Sequence, residues 1–221
     1  MFVKLSYNIN PTDPIWPGNP PFSADPHSLV ANGDMSNTYL MHLFGHIGTH
    51  FDGPNHFNDK GPKVAELPLD AFIYEKPLLL EIPKSFGEMV MPEDLQPHHS
   101  AISKADLLMI RSGFQPQRTL DPHRYANEGP AISTAASKYI QDNFRLKAVA
   151  LDWISWGSPL NIDNAAESHR TILGVYHDHY TCIIEDCNFE DIAGKTVKRV
   201  FAMPLFIDGV DSSPVTMFAE L

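Results

Sequence analysis

The sequence predicts a mixed α/β fold, rich in strand and organised as a single domain over residues 1–221. Short apolar runs bounded by turn residues recur along the whole chain, whereas helical signals are fewer. No internal repeat, low-complexity tract or Gly/Ser linker divides the chain, and its 19 prolines are spread rather than clustered at a boundary.

In chain order, the strand-like runs are Val3 to Ile9, Thr38 to Phe44, Pro77 to Ile82, Leu107 to Arg111, Ala148 to Ile154, Cys182 to Glu185 and Val197 to Met203. The clearest helix is STAASKYIQDNF, where Ser133 suits the N-cap and Ala136, Tyr139 and Ile140 fall on one face. It leads into the apolar run KAVALDWI, as in an α/β unit. Too many strands lack intervening helices for a regular doubly wound sheet. Gly209, Asp211 and Pro214 read as turn residues between the final strands, with no catalytic role.

Composition narrows the function. The formal charge is −11, from 16 Lys and Arg against 27 Asp and Glu, so no large basic surface is available to displace counterions from nucleic acid. A small-molecule partner is expected instead. No stretch approaches the roughly 20 apolar residues of a membrane span, and MFVKLSYNINPTDP lacks the basic and apolar regions of a signal peptide, which predicts a cytoplasmic protein. The two cysteines, Cys182 and Cys187, are then a reduced pair, and too few to complete a zinc knuckle.

The chemistry concentrates in FGHIGTHFDGPNHF at 44–57, which holds His46, His50, Asp52 and His56 among glycines and a proline. His46 and His50 have the spacing of a helical HExxH zinc site, but Gly48 and Gly53 would each cost about 1 kcal/mol in a helix and Pro54 about 3. The Glu that should follow the first His is also missing. On a straight strand, at about 3.3 Å per residue, His46 and His50 would stand about 13 Å apart, too far for ligands at about 2 Å from one ion. The chain must therefore bend between them, and Gly48 can adopt a positive φ without penalty. Beyond the bend His50 and Asp52 alternate along an extended segment, and Gly53 and Pro54 can turn His56 inward. Any one of these histidines has an ordinary structural reading; four ligand-type residues around Gly and Pro favour metal binding.

HIGTHFDGPNHF resembles the HxGTHxDxPxH signature of the cyclase-like metal-dependent hydrolases, a family that includes bacterial kynurenine formamidase and isatin hydrolase. The likeness extends through PIWPGNPPF, GPAISTAASKYI, LKAVALDWIS and HRTILG to AMPLFIDGVDSSPV. It implies a swivelling β/β/α fold and two divalent metal ions, zinc with manganese as the alternative. His46, His50 and Asp52 would hold the first ion, Asp52 would bridge to the second, and His56 would be the general acid/base. His169 of SHRTILG and Glu185 of CIIED would complete the second site, and Trp16 would pack on an aromatic substrate. The link between His169 and Glu185 is a few residues longer than the family pattern, and its Tyr176–Tyr180 segment offers His177, Asp178 and His179 as rival ligands.

The implied activity is hydrolysis of an amide, formamide or cyclic amide carbon–nitrogen bond by a homodimer or larger homo-oligomer. A metal-dependent lyase or cyclase, and a metal-binding module without catalysis, are the alternatives. Among other residues, Trp16 has an equally good structural reading as a buried aromatic beside Pro17. Asp152 could orient a ligand but reads better as structural, His42 could sit behind the ligands, and His98 and His99 read as surface residues. Phe44, Phe51 and Phe57 could face an aromatic substrate or fill the core.

Overall fold

The computed structural model describes residues 1–221. The strands are β1 (Phe2–Lys4), β2 (Ser23–Ser28), β3 (Thr38–His42), β4 (His50–Asp52), β5 (Ile73–Tyr74), β6 (Pro77–Glu81), β7 (Met89–Val90), β8 (Leu107–Arg111), β9 (Ala131–Ile132), β10 (Ala148–Leu151), β11 (Cys182–Glu185), β12 (Arg199–Pro204) and β13 (Ser212–Glu220). The helices are α1 (Pro92–Leu95), α2 (His99–Ile102), α3 (Gln117–Leu120), α4 (Pro122–Glu128), α5 (Thr134–Asn143) and α6 (Ile162–Ile172). The architecture is mixed α/β with excess strand.

One nine-stranded sheet runs in the order β5-β12-β13-β4-β11-β10-β8-β6, with β1 also on β13. Its β6-β8-β10-β11 half is parallel and the remainder antiparallel. The long β13 pairs with β12 along one edge, while its other edge meets β4 at Ser212–Pro214 and β1 at Phe218–Glu220.

The parallel strands are covered on both faces, which is why β8 and β10 read as unbroken apolar runs. Leu108, Ile110, Val149, Leu151 and Ile183 pack with Tyr125, Ala136, Ile140 and Ile172 of the helices. The alternate residues Leu107, Met109, Ala148, Ala150 and Ile184 pack with Val200, Ala202, Val215, Met217 and Ala219 of the antiparallel half. Two cores on opposite faces of one strand set make the three layers β/β/α. Ser133 caps α5 by accepting a hydrogen bond from the Ala136 N–H at 3.0 Å, as the sequence implied.

Several expectations need correction. The first strand stops at Lys4, because Leu5 still bonds Met217 but Ser6 already bridges to Cys187, so the chain changes partner. The run at 38 is a strand as expected but ends at His42, in a separate β2-β3 hairpin where all five residues of β3 are exposed. The run at 148 ends at Leu151, where Asp152 turns away to accept from the Ser112 and Gly113 N–H groups. Pro214, read as a turn residue, lies within β13 opposite His50. No helix is long and apolar enough to cross a membrane.

Candidate metal centre and active site

The bend required between His46 and His50 is present: Gly48 has φ +57°. Beyond it, β4 is inserted between β13 and β11, with His50 opposite Glu185 and Asp52 opposite Ile183. Pro54–His56 then forms a 3-10 turn that carries His56 back toward Asp52. Glu185 closes β11 at the carboxyl end of the parallel strands, where ligands of α/β sheets usually bind. His169 approaches from the buried face of α6, stacked on Phe57 at 4.6 Å between ring centroids. Gly157 lets the 155–157 loop lie against that helix, since a Cβ there would collide with Ala165.

The site thus gathers His46, His50, Asp52, His56, His169 and Glu185. His46 Nδ1 lies 2.9 Å from Asp52 Oδ1, His50 Nε2 3.2 Å from Glu185 Oε2, and His169 Nε2 3.7 Å from Glu185 Oε1. His50 Nε2 is also 3.5 Å from Asp52 Oδ1, and His56 Nε2 is 4.0 Å from Asp52 Oδ2. The ligand atoms form two compact groups, His46–Asp52–His56 and His50–Asp52–Glu185. Asp52 belongs to both. The resemblance pairs His46 with His50 and sets His56 apart; His46 and His50 both face Asp52 Oδ1, while His56 also stands beside His46 and His50 also stands beside Glu185.

Each imidazole has one nitrogen fixed and the other turned toward a carboxylate. His50 Nδ1 donates to the Gly48 carbonyl at 2.8 Å and His169 Nδ1 to the Ala165 carbonyl at 2.6 Å. A carbonyl can only accept, so both Nε2 atoms are free to act as ligands when the ring is neutral. Asp211 does the same for two rings, its Oδ2 lying 2.7 Å from His56 Nδ1 and 3.0 Å from His46 Nε2. Sequence reading left Asp211 without a role, since a single aspartate in a turn resembles any turn aspartate. The structure makes it the shared anchor of His46 and His56.

These residues fit divalent ions. Despite the short distances, His50 Nε2 and both Asp52 oxygens are buried without a properly directed hydrogen bond. Buried polar atoms are ordinarily paired, and converging lone pairs with anchored imidazoles are what metal ligation needs. Glu185 is itself oriented by the Trp156 N–H at 2.5 Å and lies 3.3 Å from Ser155 Oγ.

In the metal-free chain burial alone would push His46 down, but the Asp52 charge and the Asp211 hydrogen bond outweigh it and raise it to about 10. Burial also opposes the charge on His50, yet Asp52 raises it. Asp52 would be raised by burial but is held low by the charges of His46, His56 and His50. Glu185, pushed up by burial and by Asp52, is drawn down to about 2 by the facing His169 and His50. The raised histidines contribute stability that is complete below their unfolded value of about 6.5 and is lost as pH rises. The depressed carboxylates contribute stability present above about 4 and lost in acid. The chelator-treated protein should therefore show its highest melting temperature between about pH 4.5 and 6.5 and a decline toward pH 10. A midpoint that rises across pH 6.5–10 would contradict this assignment.

A cavity of about 470 Å³ opens onto His46, His50, His56, His169 and Glu185, with Trp16, Ile15, Phe44, Phe57, Ile154 and Ile162 on its apolar walls. Phe51 is not among them; it is buried in the core against Phe72. His42 is exposed on the hairpin, away from the site, and His99 bonds Tyr139. Asp152 accepts three bonds from Ser112 and Gly113, a structural role, and burial lifts its carboxyl to about 6.

The extra residues before β11 loop away from the centre. His177 Nε2 lies 3.1 Å from Asp142 and His179 Nε2 donates to the Gln141 carbonyl at 3.0 Å, so both dock on the end of α5. Neither they nor Asp178 join the two ligand groups. The segment stays clear of the centre, and Glu185 pairs with His50 across β11 and β4.

The fold and site together define a β/β/α protein with a carboxylate-centred histidine cluster, a candidate metal site, at the strand ends. Residues 3–158 match the family model Cyclase, described as "Putative cyclase", and the chain belongs to this family. An uncharacterized protein of Haemophilus influenzae is 36% identical over 116 residues, covering 52% of this chain and 82% of that one. A kynurenine formamidase of Bacillus thuringiensis is 26% identical over 216 residues, 97% of this chain and 94% of that one. Among solved structures, isatin hydrolase A from Labrenzia aggregata shares the fold with a TM-score of 0.84 at 18% identity, over 99% of this chain and 93% of that one.

Proposed function

We propose that the protein is a divalent-metal-dependent hydrolase that cleaves the carbon–nitrogen bond of a small aromatic amide, a formamide or a cyclic amide. The observation that carries this reading is the set of anchored imidazoles that line an apolar cavity together with Glu185 and face the buried, unpartnered oxygens of Asp52 behind them or Glu185 itself. The names of the family relatives, kynurenine formamidase and isatin hydrolase, support it. His46, His50, Asp52, Glu185 and His169 would hold two ions, zinc or manganese, with Asp52 common to both. Bound there, such ions supply Lewis acidity toward the carbonyl and a nucleophilic hydroxide at neutral pH.

The rest of the chemistry falls to side chains. His56, whose ring lines the cavity, would carry the proton to the leaving nitrogen from Nε2 while Asp211 holds Nδ1 and steadies the charged ring. Trp16, Phe44 and Phe57 offer faces for an aromatic ring and keep water from the reacting carbonyl. A metal-binding module without catalysis would have its ligands sealed, whereas the cavity here reaches them.

The reading is tested by screening aryl formamides, lactams and lactones with and without chelator. Chelator-sensitive release of amine is expected; turnover confined to dehydration or ring closure would transfer the site to a lyase or cyclase.

We further propose a homodimer or larger assembly, acting in the cytoplasm. The β2-β3 hairpin supports this, since a two-stranded ribbon is barely stable alone and Tyr39, Leu40 and Met41 stand 54%, 58% and 63% exposed on it. Sedimentation of the purified chain as a monomer at micromolar concentration would refute the assembly.

A further inference from the structure

Arg118 is largely buried outside the ligand cluster, on the short helix α3, and each of its three guanidinium nitrogens has a carboxylate partner. Nε lies 2.9 and 3.0 Å from the two Asp186 oxygens, and Nη2 donates to Oδ2 at 2.8 Å. Nη1 reaches Asp13 Oδ1 at 3.1 Å, and the group's carbon sits 4.0 Å above the centre of the Tyr7 ring. Side-chain exposures are 9% for Arg118 and 2% for each aspartate, so these ion pairs are shielded from water and salt.

Each end of this bridge leads to a different part of the candidate site. Asp186 directly follows Glu185 and is the only non-glycine residue with positive φ, at +51°. Its carboxylate also accepts from the Tyr125 hydroxyl at 2.7 Å, and its carbonyl accepts from Thr49 Oγ1 at 2.6 Å, one residue before His50. Thr49 Oγ1 in turn accepts the Tyr7 N–H at 3.0 Å. Asp13, at the other end, closes the turn begun at Asn10, whose backbone and side-chain N–H groups donate to it at 2.9 and 2.7 Å. Pro14, Ile15 and Trp16 follow immediately and form one wall of the cavity.

We infer that Arg118 is a positioning residue: through Asp186 and Asp13 it latches the Asp13–Asn19 wall of the substrate cavity to the strand end that bears Glu185. The inference rests on the hydrolase reading for its kinetic consequence, not for the latch itself. A planar fork can serve two carboxylates at once, which a lysine ammonium on the same helix cannot reproduce. With the latch intact, Trp16 meets the substrate at a fixed distance from the ligand cluster, so less ordering is left to occur on binding. Without it, Asp186 is still tied by Tyr125 and Thr49, and the ligand cluster keeps its own hydrogen bonds. The loss should therefore fall on substrate binding.

The test compares the metal-loaded wild type with Asp13→Ala and Arg118→Lys by amide hydrogen exchange and by steady-state kinetics on the amide the wild type cleaves best. The Asn19 N–H, which donates to the Trp16 carbonyl at 3.0 Å, reports the wall, and the amides of Ile183 to Glu185 report the strand. Exchange at Asn19 should rise about tenfold or more in both variants with the strand unchanged. KM should rise about tenfold with kcat within about twofold and metal content unaltered. Unchanged exchange at Asn19, or a rise shared equally by the strand, would overturn the latch in favour of general stabilisation. A wild type that cleaves no amide would remove the hydrolase reading, while the exchange result still decides the latch.

Discussion

His56→Ala is expected to lower kcat by about 10²–10⁴-fold, the range that a positioned general acid/base contributes, while the bound metal stays at the wild-type level. The way the ring is held sets this role. His56 Nδ1 is taken by Asp211 at 2.7 Å, so only Nε2 is presented to the cavity, 4.0 Å from Asp52. That distance is the longest of the imidazole–carboxylate separations at Asp52, and the ring is partly exposed where His50 and Asp52 are buried. His56 nonetheless lies in one ligand group with His46 and Asp52, so the experiment decides between roles. Retained metal with lost turnover makes it the proton carrier; loss of an ion from the variant, measured by elemental analysis, would make it a ligand and refute that role.

Asp52→Asn should have the opposite signature. The carboxylate is buried, shared by both ligand groups, and supplies two oxygens with no other partner. An amide offers one oxygen and a poor-ligand NH₂ group in their place, and places no negative charge between two cations. Metal affinity should fall by more than about 100-fold, beyond the loss typical of an outer hydrogen-bond partner, and activity with it. Titration of the apo variant with zinc, followed by calorimetry, measures this directly. Wild-type affinity in the variant would show that Asp52 does not bridge.

Much of the centre was legible because its residues are close in sequence and their geometry is constrained by Gly48, Gly53 and Pro54. A strand too long to let His46 and His50 share an ion forces a bend, and the bend is at Gly48. The doubly covered strands β8 and β11 were legible from end to end, since burial on both faces leaves an uninterrupted apolar run. Helix α6 was not, because its buried face is Ala165, Ser168, His169, Thr171 and Ile172, mostly small or polar residues that give no apolar period. The same holds for β13, where Pro214 and the serines of SSPVTMFAE mask a strand whose burial comes from its neighbours. Asp211 was missed for a further reason: its meaning lies in contacts to His46 and His56, 165 and 155 residues away. Nothing local distinguishes it. Tyr39, Leu40 and Met41 made the run at 38 legible as a strand but not its exposure, since an outward-facing apolar strand looks the same in sequence as an inward-facing one.

Loaded with divalent metal, this cluster is expected to break an amide bond. The most direct measurement is amine release from an aryl formamide and a cyclic aryl amide by protein of known metal content, before and after chelation and after zinc or manganese is restored. Turnover should disappear with the ions, return with them, and approach its maximum at two ions per chain. Full activity in protein shown by elemental analysis to be metal-free would contradict it.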